Sequence, residues 1–355
     1  MNIISKSYTF DDLLLVPQFS EINPLDADIS TFLTPKIKLN IPIISSAMDT
    51  VTDGNMAACM AINGGIGVIH KNYSESEQLT ELLKVKNFIF DKNALSTIDS
   101  NQKLSVAVAI GITSTINHIE SLLENGANAL VLDSAHGHSK NVGNLLTQIK
   151  KHFPNTEIIV GNIATTDGCK YLVDLGADAI KVGMGSGSIC TTRIVSGVGI
   201  PQLTALEKVY NYLKDKNIPM ISDGGIKNYG DIVKALAVGS STVMLGSLLA
   251  KTNEAPGKII EVDGKLFKYY RGMGSKVVMQ ESDRYLQKST SEGIEAKVEL
   301  IGSLESVLNE ITGAIKSGLG YTGSKNIKDL QEKAFFTEIT HSGILESKPH
   351  SVISI

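Results

Sequence analysis

The runs SVAVAIG (105–111), ALVLDSA (129–135), EIIVGN (157–162) and AIKVGM (179–184) decide the fold. Each is too short for a helix and rich in Val, Ile or Ala. None alternates strictly between apolar and polar residues, the signature of a strand buried on both faces. Between them, INHIESLLENGA (116–127) and TTDGCKYLVDLGA (165–177) place apolar residues at i, i+3 and i+4 and close on Gly, a helix-stop signal. Parallel strands joined by helical crossovers follow. Working outward, PIISSA (42–47) and GIGVIH (65–70) precede this block, and PMISDG (219–224) and TVMLGS (242–247) follow it, with NYGDIVKALAVGS (228–240) as a further helix. Eight βα units in series predict an α/β fold, a (β/α)8 TIM barrel, as a single domain over 1–355. An open doubly wound sheet is the alternative, and the polar strand ends favour closure.

Two spacings break the rhythm. Between the second and third strands, DKNALSTIDSNQ (91–102) reads as a polar connection. Between the sixth and seventh lies GSGSICTTRIVSGVGIPQ, a long loop at the catalytic face, where function is expected. After position 250 the βα pattern stops. KIIEVDGKLFKYY reads as a hairpin turning at Asp263-Gly264, the type I′ signal. The polar stretch beginning RGMGS reads as a mobile flap over 271–295. LESVLNEITGAIKSGLG is helical, and the 340–355 tail has no clear periodicity.

Composition excludes several classes. With no Trp, 5% aromatics and a net charge of −4, the chain has neither stacking residues nor the basic excess that nucleic-acid binding requires. No apolar run approaches a membrane span, and the N-terminus lacks a signal-peptide core. Three scattered cysteines suit neither a disulfide framework nor a zinc site, so a reducing cytoplasmic setting with free thiols is expected.

The chemistry gathers in a few places. In such barrels the loops after strands seven and eight commonly cradle phosphate. Here they carry Asp223-Gly224-Gly225 and Gly246-Ser247, whose glycines admit close backbone N–H approach. Tight barrel corners would use the same glycines. Asp223, an anion, suits a sugar diol rather than the phosphate. Cys190 sits among Gly and hydroxyl residues, an open polar setting for a nucleophilic thiol, whereas Cys59 and Cys169 fall in helical stretches and read as inert. Asp133 ends strand four at the catalytic face. His136 and His138 follow it without further ligands and read as loop residues rather than a metal site. Arg284-Tyr285 alone reads as a solvated pair. No G-x-G-x-x-G opens a helix after a strand, so a Rossmann site is unsupported.

TFDDLLLVP, SSAMDTV, GGIGVIHKN, VLDSAHGHS, GNIAT, KVGMGSGSICTTR, GVGIPQ, SDGGI, VMLGSLLA, YRGMGS and SDRYLQ resemble, over nearly the whole chain, the IMP dehydrogenase and GMP reductase family. DSAHGHS, RIVSGVGIPQ and above all Arg284-Tyr285 look like the dehydrogenase branch. A Bateman-type regulatory module would fall at the short 91–102 connection. The alternatives are a GMP reductase and a nucleotide-binding module with little catalysis.

The resemblance implies oxidation of IMP to XMP with NAD, in which Cys190 forms a covalent thioimidate that water hydrolyses. It implies activation of that water by Arg284 and Tyr285, with Thr192 and Glu292 at water-activation or proton-relay positions. Substrate binding is implied for Ser46, Met48, Ser188, Asp223, Gly224, Gly225, Gly246, Ser247, Tyr270, Arg271, Gly272, Met273, Gly274, Glu292 and Gly293. Asp133, Ser134, Asn162, Gly183, Met184 and Gly185 match the NAD side. Potassium is implied at Gly185, Gly187 and Cys190, completed by Glu346, Ser347 and Lys348 of a neighbouring subunit in a homotetramer. The flap is several residues shorter than is usual in the family, and Lys348 is not the residue expected at the ion site.

Overall fold

The computed structural model describes residues 6–281 and 290–352. Fifteen strands are assigned among them. β1 (Leu13–Leu15), β2 (Thr31–Thr34) and β3 (Ile37–Leu39) precede the barrel. β4 (Ile43–Ser45), β5 (Ile66–Ile69), β6 (Val106–Ile110), β7 (Ala129–Asp133), β8 (Ile158–Ile163), β9 (Ala179–Val182), β10 (Met220–Asp223) and β11 (Thr242–Leu245) form it. β12 (Ile259–Val262), β13 (Lys265–Arg271), β14 (Glu295–Glu299) and β15 (Phe336–Glu338) follow. Strands β4 to β11 pair in parallel with their sequence neighbours and close through β4 and β11. These are the eight runs read from the sequence, in the same order, so the open-sheet alternative falls away.

The two-faced burial is visible residue by residue. Ile44, Ile66, Val68, Ala107, Val131, Ile159, Ile221 and Met244 fill the barrel interior. Their neighbours Ile43, Ile69, Val106, Leu130, Ile158, Val160 and Met220 join the larger core. The β2–β3 hairpin sends Leu33 and Leu39, both fully buried, into the interior layer. It lies at the strands' N-terminal end, where Lys36 pairs with Glu157 at 3.1 Å. One end of the barrel is thus plugged, and the site is left to the other.

Around the barrel, helices begin at side-chain caps, as where Thr115 accepts from the His118 N–H and Thr165 from that of Gly168. The helix Leu304–Tyr321 packs on Tyr229–Ala237, with Gly318 so close to Val233 that a Cβ would stand 2.5 Å from it. The polar connection after the helix Glu75–Lys86 contains no helix or strand. Buried Lys86 ties it down, donating to Asp99 Oδ2 (2.9 Å), the Leu104 carbonyl (2.9 Å) and Asn128 Oδ1 (2.7 Å).

Beyond the barrel, Asp263 (φ 52°) and Gly264 (φ 76°) turn the expected β12–β13 hairpin, both left-handed as a type I′ turn needs. The stretch after Arg271 holds more structure than its sequence suggested. EAKVE forms β14 against β13, building a three-stranded sheet, and Lys276–Glu281 forms a short helix. The C-terminal region likewise forms β15, paired with β1, and a helix over His341–Glu346. Among the described residues no helix is long and apolar enough to cross a membrane.

Candidate functional site

Nine of the residues expected to hold the nucleotide converge on one cavity. Ser46, Met48, Ser188, Asp223, Gly224, Gly225, Gly246, Ser247 and Tyr270 line a space of about 410 Å³ that opens to solvent. It sits where β4, β10 and β11 end, the catalytic end of a barrel of this kind. Gly224 (φ +88°) and Gly225 (φ +84°) are consecutive left-handed residues. At Gly246 an added Cβ would stand 2.7 Å from the Tyr270 hydroxyl. This part of the wall, at Gly224, Gly225 and Gly246, is therefore bare backbone, a surface of the kind that can bind phosphate oxygens. Ser188 Oγ donates to the Tyr270 hydroxyl at 3.4 Å, and burial pushes the phenol up to about 12, so Tyr270 stays neutral.

Cys190 stands on the long loop after β9, half-buried. Its Sγ lies 3.2 Å from Thr192 Oγ1, which donates to Glu292 Oε2 at 2.9 Å. The Thr192 hydroxyl has one proton; giving it to Glu292 leaves its oxygen free to accept from the thiol. A directed path from thiol to carboxylate results. The loop is held in place from three sides. Thr191 N–H donates to the Glu292 carbonyl (3.1 Å) and Ile294 N–H to that of Ile189 (3.0 Å). Glu292 and Gly272 N–H groups join 292–294 to 272–274 at 3.0 Å each. Gly272 and Gly293 meet where a Cβ on Gly272 would stand 3.3 Å from both Gly293 Cα and the Ile189 carbonyl. Arg193 grips both ends of the loop, donating to the Met184 (3.0 Å) and Ile200 (2.5 Å) carbonyls.

On the other side of the mouth, the ends of β7 and β8 stay paired beyond the strands. Ser134 N–H donates to the Gly161 carbonyl (2.9 Å), and Asn162 N–H to that of Ser134 (2.7 Å). Asp133 and Asp223 meet a residue the sequence reading passed over. Lys181 lies 3.0 Å from Asp133 Oδ1 and 2.7 Å from Asp223 Oδ2, and also binds Asn162 Oδ1. Lys71 adds a contact to Asp133 Oδ2 at 3.3 Å. Burial alone would raise the Asp133 carboxyl, but Lys181 and Lys71 outweigh it and hold it well below the usual range. Burial likewise opposes the Lys181 charge, and the two carboxylates keep its pKa above the ordinary lysine value. The clue was a lysine inside AIKVGM, a charge where the strand otherwise hides apolar residues.

Arg271 is anchored to Asp49, Nη2 to Oδ2 at 2.8 Å and Nε to the same oxygen at 3.1 Å, with Asn72 beside it on Asp49 at 3.2 Å. This pair fixes the end of β13 to the turn after β4. Met273 Sδ lies 3.8 Å from Asn72 Nδ2. Gly183, Met184, Gly185 and Gly187 occupy the loop leaving β9, where Asn162 Nδ2 donates to the Gly183 carbonyl at 2.8 Å. Glu346, Ser347 and Lys348 are exposed at the end of the helix His341–Glu346. Arg284 and Tyr285 lie outside the described residues. His136 and His138 are 6.3 Å apart, and among the described residues no cluster of three or more His, Cys, Asp or Glu could hold a metal. Cys59 and Cys169 sit in helices, where burial pushes their thiols up to about 11 and about 12.

Comparison with known proteins adds a family and named relatives. A model described as the IMP dehydrogenase / GMP reductase domain matches residues 7–350. The chain is similar to the inosine-5'-monophosphate dehydrogenase of Cryptosporidium parvum, 46% identical, with 98% of this chain and 96% of that protein covered. It is 41% identical to the enzyme of that name from Borreliella burgdorferi, with 99% of each covered, and 38% identical to that of Aquifex aeolicus, with 98% and 96% covered. The last alignment runs over 471 positions, far more than the 355 residues present here, while the first runs over only 387.

Proposed function

We infer the activity of this chain from its family, for it belongs to the IMP dehydrogenase / GMP reductase family: it is an IMP dehydrogenase, an NAD-dependent oxidoreductase that converts IMP to XMP in guanine nucleotide synthesis. Its length suits a form without the Bateman-type module, and the whole chain acts as one catalytic unit. The observation that carries the site assignment is the Cys190–Thr192–Glu292 line standing beside a glycine-walled cavity at the barrel mouth.

The nucleotide's phosphate sits on Gly224, Gly225, Gly246 and Ser247, and Asp223 accepts from the ribose hydroxyls. Cys190, deprotonated toward Thr192 and Glu292, adds through sulfur to C2 of the base. The C2 hydrogen departs as hydride, leaving a planar thioimidate between Cys190 and the purine. Water then adds to C2, the C–S bond breaks, the thiol is restored and XMP is released. NAD, when bound, accepts the hydride. The hydroxyl of Ser134, the second lone pair of the Asn162 amide oxygen and the backbone of Gly183, Met184 and Gly185 fit its polar groups as hydrogen-bond partners. Glu292 and Thr192 relay the protons of both half-reactions, and Arg284 and Tyr285 activate the water.

Carbonyl oxygens of Gly185, Gly187 and Cys190 suit a potassium ion. The Gly187 carbonyl already accepts from Cys190 N–H at 3.1 Å, and a second lone pair remains. Glu346, Ser347 and Lys348 of a neighbouring copy complete this shell in a homotetramer working in the cytoplasm, with no nucleic-acid partner.

The test is NADH formation by the purified protein with IMP, NAD and potassium, beside GMP with NADPH. Sustained NADH with XMP as product is expected. NADPH consumption with GMP would make the chain a reductase, and no turnover with either pair would leave a binding module.

A further inference from the structure

We propose that Lys181 is a positioning residue shared by the two halves of the site, one ammonium fixing both the carboxylate that serves the nucleotide's ribose and the carboxylate on the dinucleotide side. The proposal rests on the IMP dehydrogenase function above and names a group the function itself does not require.

Lys181 lies in the middle of β9, a strand otherwise made of buried apolar residues, and is itself buried. Burying an ammonium is costly unless every proton finds an acceptor. Here the acceptors come from three strands: Asp133 Oδ1 on β7 (3.0 Å), Asn162 Oδ1 on β8, and Asp223 Oδ2 on β10 (2.7 Å). An ammonium has three N–H donors, and this set uses all three. Asn162 closes the figure by donating to the same Asp223 oxygen at 2.9 Å and to the Gly183 carbonyl at 2.8 Å. The cluster grips one oxygen of Asp223 and leaves Oδ1 for a ligand.

Burial differs across the cluster in a way that points outward. The Lys181 side chain is 4% exposed, while Asp133 and Asp223 are each 21% exposed. The cation is the hidden hub, and the carboxylates are the parts that reach the mouth. Asp133 has a second cation in Lys71, whereas the ion pair of Asp223 is with Lys181. Removing the hub leaves two carboxylates facing one another across the mouth. Asp133 keeps Lys71, but Asp223 loses its pairing with Lys181 and both carboxylates lose the cation between them, so a change at Lys181 disturbs both ligands together.

The experiment measures KM for IMP and for NAD, kcat and the melting temperature for wild type, Lys181→Gln and Asp133→Asn. Lys181→Gln is expected to raise both KM values by roughly tenfold or more, about 1.4 kcal/mol each, with a smaller fall in kcat. Both KM values within twofold of wild type, whatever the melting temperature, would reduce Lys181 to a structural lysine. A rise in one KM alone would overturn the shared role. If Lys181→Gln does not fold, Asp133→Asn decides. Loss of one anchor on the dinucleotide side should still raise the KM for IMP about threefold or more, because Lys181 and Asp223 shift with it; an unchanged value sinks the proposal. A wild type that forms no NADH from IMP and NAD fails at the earlier step and removes the dehydrogenase function, and this role with it.

Discussion

In the barrel, each strand from β4 to β11 hydrogen-bonds to two neighbours and hides side chains on both faces, while the sheet β12–β14 ends in two edges and shows an exposed face. The glycine-walled cavity, the proposed phosphate cradle, grows out of the first region. Cys190, Thr192 and Glu292, the proposed chemical groups, are held by the second, through hydrogen bonds from 272–274 to 292–294 and on to the cysteine loop. Holding a ligand by its phosphate calls for a surface that does not move. The proposed bond making and breaking at Cys190 instead relies on groups placed by a small sheet with free edges. The two regions are therefore open to separate attack.

The largest effect is expected where the second region meets the ligand. Cys190→Ala should cut turnover by about 10³-fold or more, yet leave IMP binding, measured by calorimetry, within a few-fold. Residual turnover near wild type would end the covalent mechanism. A thiol alkylator should label Cys190 ahead of Cys59 and Cys169, whose thiols at about 11 and about 12 remain protonated at neutral pH. Next comes the barrel. Ile221→Ala, in the packed interior, should cost about 2–5 kcal/mol in denaturant unfolding, with the KM for IMP unchanged in the folded fraction. A large KM change there would mean that the cradle is not independent of the core beneath it.

Glu292→Gln should lower kcat by roughly 10²-fold with little change in either KM, as loss of a proton relay does. An equal effect on KM would instead make Glu292 a binding group. The smallest effect belongs to the tie between the regions. Asp49→Asn weakens the grip on Arg271 and should lower kcat a few-fold while the melting temperature falls by a few degrees. Full activity in this variant would show that the end of β13 is held well enough by its backbone pairing alone.

The barrel was legible because burial on both faces leaves a plain mark: Val, Ile and Ala runs that stop at a polar residue, eight times over. The strand-end residues that line the cavity were legible as the points where those runs stop. β14 was hidden because EAKVE carries three charged residues and pairs only with β13, so its composition imitates a loop. Lys181 was hidden inside a strand whose pattern it violates, and Asp49 and Arg271 are 222 residues apart. The Cys190–Thr192–Glu292 line was half legible: Cys190 stood out by its glycine and hydroxyl neighbours, whereas Glu292 entered only through family likeness. Its hydrogen bond to Thr192 spans 100 residues, which no local pattern records.

The small sheet of β1 and β15 carries a further consequence. Leu13 pairs with Glu338 and Leu15 with Phe336, so among the described residues the first strand waits for the last before it has a partner. On a ribosome adding about 5–20 residues per second, that wait lasts on the order of tens of seconds. Throughout it Leu13, Leu14 and Leu15 stand as an unpaired apolar edge, the kind of segment that chaperones shield and that pairs wrongly when they do not. The pairing that closes this sheet therefore forms only at the end of synthesis.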